Sequence, residues 1–149
     1  MNNLNQQVSE IMVSYKPIRN VNSQLVSSFD AVKLMRKVWN EDTIEMQEEV
    51  KVILLNHSNL VLGIYDLSKG GMTASLVDVR LVLSVALKCL ATGIILVHNH
   101  PSGNLKPSKS DLSIVQKLKE CCKLFDIAFL DNLIITKNNS LSFADDGLL

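Results

Sequence analysis

The feature that most restricts the fold is an apolar run that ends in closely spaced histidines. Gly93-Ile94-Ile95-Leu96-Val97 is followed directly by His98-Asn99-His100-Pro101, which contains two of the three histidines in the chain. Successive side chains of an extended chain point to opposite faces, so both imidazoles project to one side and Asn99 to the other. The run therefore predicts a central strand at 94–97 that presents two nitrogen ligands at its end.

A third ligand is expected from a helix over Ser108–Phe125. Counting from Asp111, steps of four, three, four and three residues define a stripe that should face the core: Val115, Leu118, Cys122 and Phe125. Asp111 thus points inward from the first turn, where a buried carboxylate needs a partner. Two prolines and Gly103 in the connecting loop turn the helix start back toward the histidines. Hydrolytic zinc sites commonly take three such ligands and leave a fourth position for water, so His98, His100 and Asp111 are predicted to bind Zn²⁺.

Two adjacent glutamates compete to be the base that such a site needs. Glu48 and Glu49 open a predicted strand at 48–55, and only the face that carries Glu49 has a further charge, at Lys51. This difference between the two faces favours Glu48 as the inward carboxylate, although both faces are apolar further along the strand. A glutamate beside a zinc-bound water, whose pKa falls to about 7, could take and later return a proton.

Ser108 has two interpretations, which can coexist. With Asp111 three residues further on, Ser108 forms a variant of the capping box that begins many helices. Beside a metal ion, its hydroxyl could also donate a hydrogen bond to the oxyanion of a tetrahedral intermediate.

Length and charge restrict the class of protein. The chain of 149 residues has the length of one domain, and its hydrophobic fraction of 47% is typical of a globular protein. Fifteen basic and fifteen acidic residues give no net charge, so charge supports binding neither to nucleic acid nor to an anionic membrane. A small basic patch on one face remains compatible with these numbers.

Cysteine usage and hydropathy favour a cytoplasmic protein. The three cysteines lack the spacing of a disulfide framework, and the first two dozen residues contain no signal-peptide pattern. The apolar stretch Val79–Val97 is interrupted by Arg80, Lys88 and Gly93. It therefore predicts a buried helix followed by a strand, and no membrane span.

The remaining segments predict an α/β fold of the α+β kind, a mixed central sheet flanked by helices. Residues 1–28 are interpreted as an N-terminal arm packed on a single domain at 29–149. A helix over Phe29–Trp39 precedes a hairpin of strands at 48–55 and 60–67. The other predicted elements are a short strand at 72–74, a helix at 78–90 and two short strands within 127–143.

Three further kinds of reactive side chain are given structural roles. His57 lies in the Asn-rich turn of the hairpin and is expected to be solvent-exposed. Cys121 and Cys122 lie within a predicted helix and are interpreted as buried structural thiols, not ligands. Asp131 is expected to fix a turn.

The block Ile95–Asp111 resembles the signature of the RadC-type branch of the JAB/MPN metalloprotease-like domains. That signature consists of an upstream Glu, then His-x-His-Pro, then Ser-x-x-Asp, and the resemblance extends from Glu48 through Gly147. It implies a mixed sheet flanked by helices, in the cytidine deaminase-like architecture of these domains. It also implies site residues: zinc ligands His98, His100 and Asp111, a catalytic Glu48 and an oxyanion-stabilising Ser108.

The chain departs from the family pattern in two places. Leu130-Asp131-Asn132 stands where the family commonly has Leu-Asp-His, so a proton-relay or supporting role for that histidine is missing. Val77-Asp78-Val79-Arg80 lacks the usual proline, which alters a turn and not the site. Full-length relatives often carry a DNA-binding helix-hairpin-helix segment, and this chain is expected to be a short stand-alone form without it.

Three functions are consistent with these features. The first is a zinc-dependent hydrolase of peptide or isopeptide bonds, which acts on a protein or peptide substrate. The second is a DNA repair or recombination accessory protein without protease activity, which would need a basic stripe on one face. The third is an inactive interaction module, disfavoured because all five motif residues are present. A zinc deaminase would need His-x-Glu and Pro-Cys-x-x-Cys motifs, which the sequence lacks.

Overall fold

The computed structural model describes residues 8–18, 23–70 and 77–149. The predicted strand at 72–74 lies outside these residues. In chain order the elements are α1 (Ser28–Val38), β1 (Glu49–Leu55), β2 (Val61–Lys69), α2 (Val79–Lys88), β3 (Gly93–Asn99), α3 (Lys109–Leu124), β4 (Ala128–Ile135) and β5 (Ser140–Ser142). In the described ranges, every helix is too short or too polar to reach across a lipid bilayer.

The strands form one mixed sheet in the order β2-β1-β3-β4-β5. β1 pairs antiparallel with both β2 and β3, β3 pairs parallel with β4, and β4 pairs antiparallel with β5. Because parallel neighbours need a long crossover, α3 connects β3 to β4. β3 is therefore the central, fully buried strand that the apolar run predicts, and the α+β fold with a mixed central sheet is confirmed.

Helices cover both faces of the central strands. On β1 and β3 the even-numbered apolar residues pack with α2 and α3, whereas the odd-numbered ones pack with α1. Strands that are buried on both sides read as continuous apolar runs without polar alternation. For this reason the alternation of side chains along β1 distinguishes only weakly between Glu48 and Glu49 as the carboxylate that faces the histidines.

The predicted hairpin and helices are confirmed, with one error at the end of α3. Val115, Leu118 and Cys122 are buried as the stripe predicts, but Phe125 is 49% exposed. The helix ends at Leu124, and Phe125 leaves helical geometry with φ −109 and ψ 12. The prediction of a buried Phe125 is wrong because a helical phase applies only while the helix continues.

Most of the side chains that are interpreted as structural from the sequence have the positions expected for that role. His57 is exposed, Cys122 is buried and Cys121 is half-buried, and both thiols are free. Burial, together with the neighbouring Cys121, raises the pKa of Cys122 to about 11, which disfavours the thiolate form. Asp131 accepts hydrogen bonds from Ser142 Oγ at 2.5 Å and from the Ala144 N–H at 2.9 Å, and these fix the turn after β5.

Asn132 is a polar residue in a fully buried position of β4. Among the described residues, neither its Oδ1 nor its Nδ2 has a hydrogen-bond partner. Because an unsatisfied buried polar group costs about 1–3 kcal/mol, we expect Asn132→Val to raise the free energy of unfolding by about 1–2 kcal/mol. Urea unfolding of the purified variant measures this change.

Asn99 provides the matched control, since it is another fully buried asparagine of the same sheet. Its amide makes three hydrogen bonds, so Asn99→Val should lower the free energy of unfolding. Destabilisation of the protein by both substitutions would contradict this interpretation of Asn132.

Candidate metal centre

Three segments of the chain bring four of the predicted site residues together. His98 lies near the end of β3, with His100 just beyond it, while Asp111 lies in the first turn of α3 and Glu48 immediately precedes β1. One ligand atom from each of these residues lies within 4.8 Å of the other three. The group could therefore hold a metal ion.

The three predicted ligands lie close enough together to bind one small ion. The Nε2 atoms of His98 and His100 are 3.1 Å apart, and they lie 3.4 Å from different oxygens of the Asp111 carboxylate, His98 from Oδ1 and His100 from Oδ2. Ligand atoms about 2.0–2.1 Å from a tetrahedral zinc ion are about 3.3 Å from one another. Two imidazole nitrogens and one carboxylate are a donor set that zinc accepts, and the distances among them are close to those around a tetrahedral ion.

The loop after β3 fixes the orientation of His100. Its Nδ1 lies 2.6 Å from the carbonyl oxygen of Asn104. A carbonyl can only accept, so Nδ1 carries a proton, and Nε2 is the ring nitrogen that faces the cluster and that a metal ion would bind after its deprotonation, as in many metal-binding histidines. Gly103 permits the sharp return of the loop because its φ of 81° is a backbone conformation that favours glycine.

Charge and hydrogen bonding couple Asp111 to the histidines. Burial raises the pKa of Asp111, but hydrogen bonds from His100, His98 and the Ser108 N–H outweigh it, so the net pKa lies well below the usual range. The hydrogen bond with Asp111 raises the pKa of His100, against the opposing effect of burial. A metal ion binds the same atoms as these protons, so metal binding at such a site releases protons.

Ser108 is the N-cap of α3, as the sequence predicts. Its Oγ accepts the Asp111 N–H at 3.0 Å, and Asp111 Oδ2 accepts the Ser108 N–H at 2.7 Å. The capping interpretation is thus confirmed. Since Oγ only accepts in this pair, the exposed hydroxyl retains its own proton for donation.

Glu49 lies on the opposite face of β1 from this cluster. Its carboxylate is 3.2 Å from Thr43 Oγ1 and 3.4 Å from Lys51 Nζ, which lies over the ring of Trp39 on the α1 side of the sheet. The structure therefore places Glu48, and not Glu49, beside the histidines.

Two contacts that support the site, one with Asn104 and one with Asn99, were not predicted from the sequence. The Asn104 contact is made by a backbone carbonyl, for which no side-chain signal exists. Strand alternation predicts only that Asn99 faces away from the histidines, whereas its amide in fact makes hydrogen bonds to three backbone groups of residues 44–49. Asn132, which replaces the usual histidine of the pattern, lies opposite Leu96 and makes no hydrogen bond to the described site residues.

Comparisons with known proteins agree with this architecture. A family model described as a RadC-like JAB domain matches residues 25–148. A UPF0758 protein from Flavobacterium johnsoniae is 44% identical over 125 residues, which cover 84% of this chain and 53% of that protein. Another from Clostridium beijerinckii is 33% identical over 144 residues, which cover 95% of this chain and 62% of that protein.

The chain spans about half the length of the curated relatives it matches. The matched region nevertheless contains the whole sheet and the complete Glu48, His98, His100 and Asp111 group. This protein therefore belongs to the family of RadC-like JAB domain proteins.

Proposed function

We propose that this protein is a zinc-dependent hydrolase that cleaves peptide or isopeptide bonds. The observation that carries the proposal is the convergence of Glu48 with two histidines and Asp111, their ligand atoms within 4.8 Å of one another. A zinc ion bound there supplies a Lewis acid and lowers the pKa of a water molecule to about 7. The choice of an amide bond is supported by the resemblance to JAB/MPN metalloprotease-like domains.

The residues that would hold the ion are fixed by the fold around them. The backbone of His100 donates to the Ile135 carbonyl at 2.9 Å, which extends the central pairing beyond β3. Asp111 is held by the capping box of α3. Ligands on such rigid elements need little rearrangement to bind.

Glu48 and Ser108 would carry the proton transfer and the charge stabilisation. The Glu48 carboxylate takes a proton from the attacking water as the new carbon–oxygen bond forms. It returns that proton to the leaving amine nitrogen as the carbon–nitrogen bond breaks. The Ser108 hydroxyl donates a hydrogen bond to the oxyanion that forms between these two events.

Cleavage of an internally quenched peptide library by the zinc-loaded protein tests the proposal. We expect Ser108→Ala to lower kcat by about 10²–10³-fold, the usual effect of losing one oxyanion donor. The same substitution also removes a helix cap, which costs about 0.5–2 kcal/mol of stability.

Ser27→Ala separates these two effects, because Ser27 forms the equivalent capping box at α1. It should lower stability to a similar degree and leave kcat unchanged. Equal rates in Ser108→Ala and wild type would remove the oxyanion role from Ser108.

A further inference from the structure

At the end of β3, Asn99 lies between the two histidines in sequence, and its buried side chain points to the opposite face of the sheet. Asn99 is fully buried, and its Oδ1 accepts the N–H of Glu49 at 2.7 Å. Its Nδ2 donates to the carbonyls of Ile44 at 2.7 Å and Gln47 at 2.8 Å. One side-chain amide thus ties the strand of the histidines to the segment that leads into β1.

The register of the two strands explains why these bonds matter for Glu48. The paired residues of β1 and β3 end one step before Asn99. Continuing the register puts Glu49 opposite Asn99 and Glu48 opposite His100, so the Asn99 side chain supplies the next link between the strands. Because neighbouring residues face opposite sides, fixing Glu49 on the α1 face also fixes Glu48 on the metal-site face.

Besides the packing of Ile44 in the same apolar cluster as Val97, few described contacts connect this segment to β3. Residues 41–46 form turns between α1 and β1, and they lack a strand ladder of their own. On the other side, the Gly70 N–H donates to the Glu48 carbonyl at 2.8 Å, which links Glu48 to the end of β2. The described hydrogen bonds between the 44–49 backbone and the histidine strand, up to the start of the ladder, are made by the Asn99 amide.

We propose that Asn99 is a positioning residue that holds the Glu48 carboxylate where proton transfer requires it, beside His98 and His100. The proposal rests on the proposed function in one respect, namely that Glu48 acts as the base. The same amide that fills a buried position would thereby align the base with the metal ligands. A displacement of about 1 Å at a catalytic group can cost about 10²-fold in rate, so loss of this amide should be visible in kcat.

Hydrogen exchange of the metal-free protein, followed by NMR, tests the anchoring directly. In Asn99→Ala, the Glu49 amide and the backbone amides of 44–48 should exchange about tenfold faster or more. Without the Asn99 hydrogen bonds, this segment can open while the rest of the sheet stays folded. The His100 amide, which is bonded to Ile135, should keep its protection. Val97→Ala is the matched control, because Val97 is buried on the same face of β3 but contacts none of these groups through hydrogen bonds.

Zinc content and kinetics test the consequence for Glu48. Asn99→Ala should bind as much zinc as wild type, and kcat on the quenched peptides should fall about 10²-fold with little change in KM. In a Glu48→Gln background, Asn99→Ala should cause no further loss, because the group it positions is already absent. Val97→Ala should lower stability without this selective loss.

Unchanged exchange at Glu49 in Asn99→Ala would overturn the inference, and so would kinetic losses that multiply with those of Glu48→Gln. Absence of any peptide cleavage by wild type would count against the proposed function alone, since the exchange experiment still decides whether Asn99 anchors Glu48. If Asn99→Ala does not fold, Asn99→Asp keeps the acceptor for the Glu49 N–H but loses both donated bonds. It should then loosen the 44–47 segment selectively, and a uniform change in exchange across the sheet would contradict the proposal.

Discussion

Replacing Glu48 with glutamine is expected to lower the rate of peptide hydrolysis by about 10²–10⁴-fold while zinc stays bound. Glutamine has nearly the same shape as glutamate but cannot take a proton from water. The three residues that would hold the metal are untouched, so affinity for zinc should change little. The ratio kcat/KM on quenched peptides and the zinc content of the same preparation measure the two effects together.

Glu49→Gln is the control that the chain itself offers. Glu49 is buried beside Lys51 and Thr43 on the other face of the sheet, so its loss should affect stability before it affects chemistry. Full activity in Glu48→Gln, combined with loss of activity in folded Glu49→Gln, would move the base to Glu49. Loss in neither variant would exclude both glutamates from the reaction.

Asp111→Asn is expected to weaken zinc binding by more than about 100-fold, beyond the loss usual for a residue that only supports a ligand. The neutral amide is a poor ligand for zinc, yet its oxygen can still accept the Ser108 N–H and keep the capping box. A loss of zinc affinity in this variant therefore measures the contribution of Asp111 as a zinc ligand, separately from its contribution to the helix cap. Competition with a chromophoric chelator measures the dissociation constant.

Asp30→Asn provides the comparison for helix capping. Asp30 accepts the Ser27 N–H at the start of α1, in the same arrangement that Asp111 has with Ser108. This variant should bind zinc as wild type does and show only a small change in stability. Wild-type zinc affinity in Asp111→Asn would contradict the assignment of Asp111 as a ligand.

Local periodicities predicted that His98, His100 and Asp111 lie together, in the group that could hold a metal ion. Strand alternation placed His98 and His100 on one side, and the phase of α3 turned Asp111 inward. Choosing between Glu48 and Glu49 was harder, since β1 is buried on both faces and its two apolar patterns are nearly alike. The structure separates the two glutamates through their partners on either face.

The supporting contacts could not be predicted from the sequence, because they depend on strand register and backbone position. Nothing in the residue type of Asn104 indicates that its carbonyl would hold His100. The hydrogen bonds of Asn99 join residues about 50 positions apart, and they follow only once β1 and β3 are aligned. The exposure of Phe125 likewise depended on where α3 ends, which periodicity alone does not fix.

Metal content is the most direct test of the central claim that this chain holds a hydrolytic zinc centre. Wild type, His100→Ala and Asp111→Ala should be purified identically, equilibrated with zinc, dialysed and analysed by mass spectrometry of the metal. We predict about one zinc ion per wild-type chain and far less in both variants. Equal and negligible zinc in all three proteins would contradict the account.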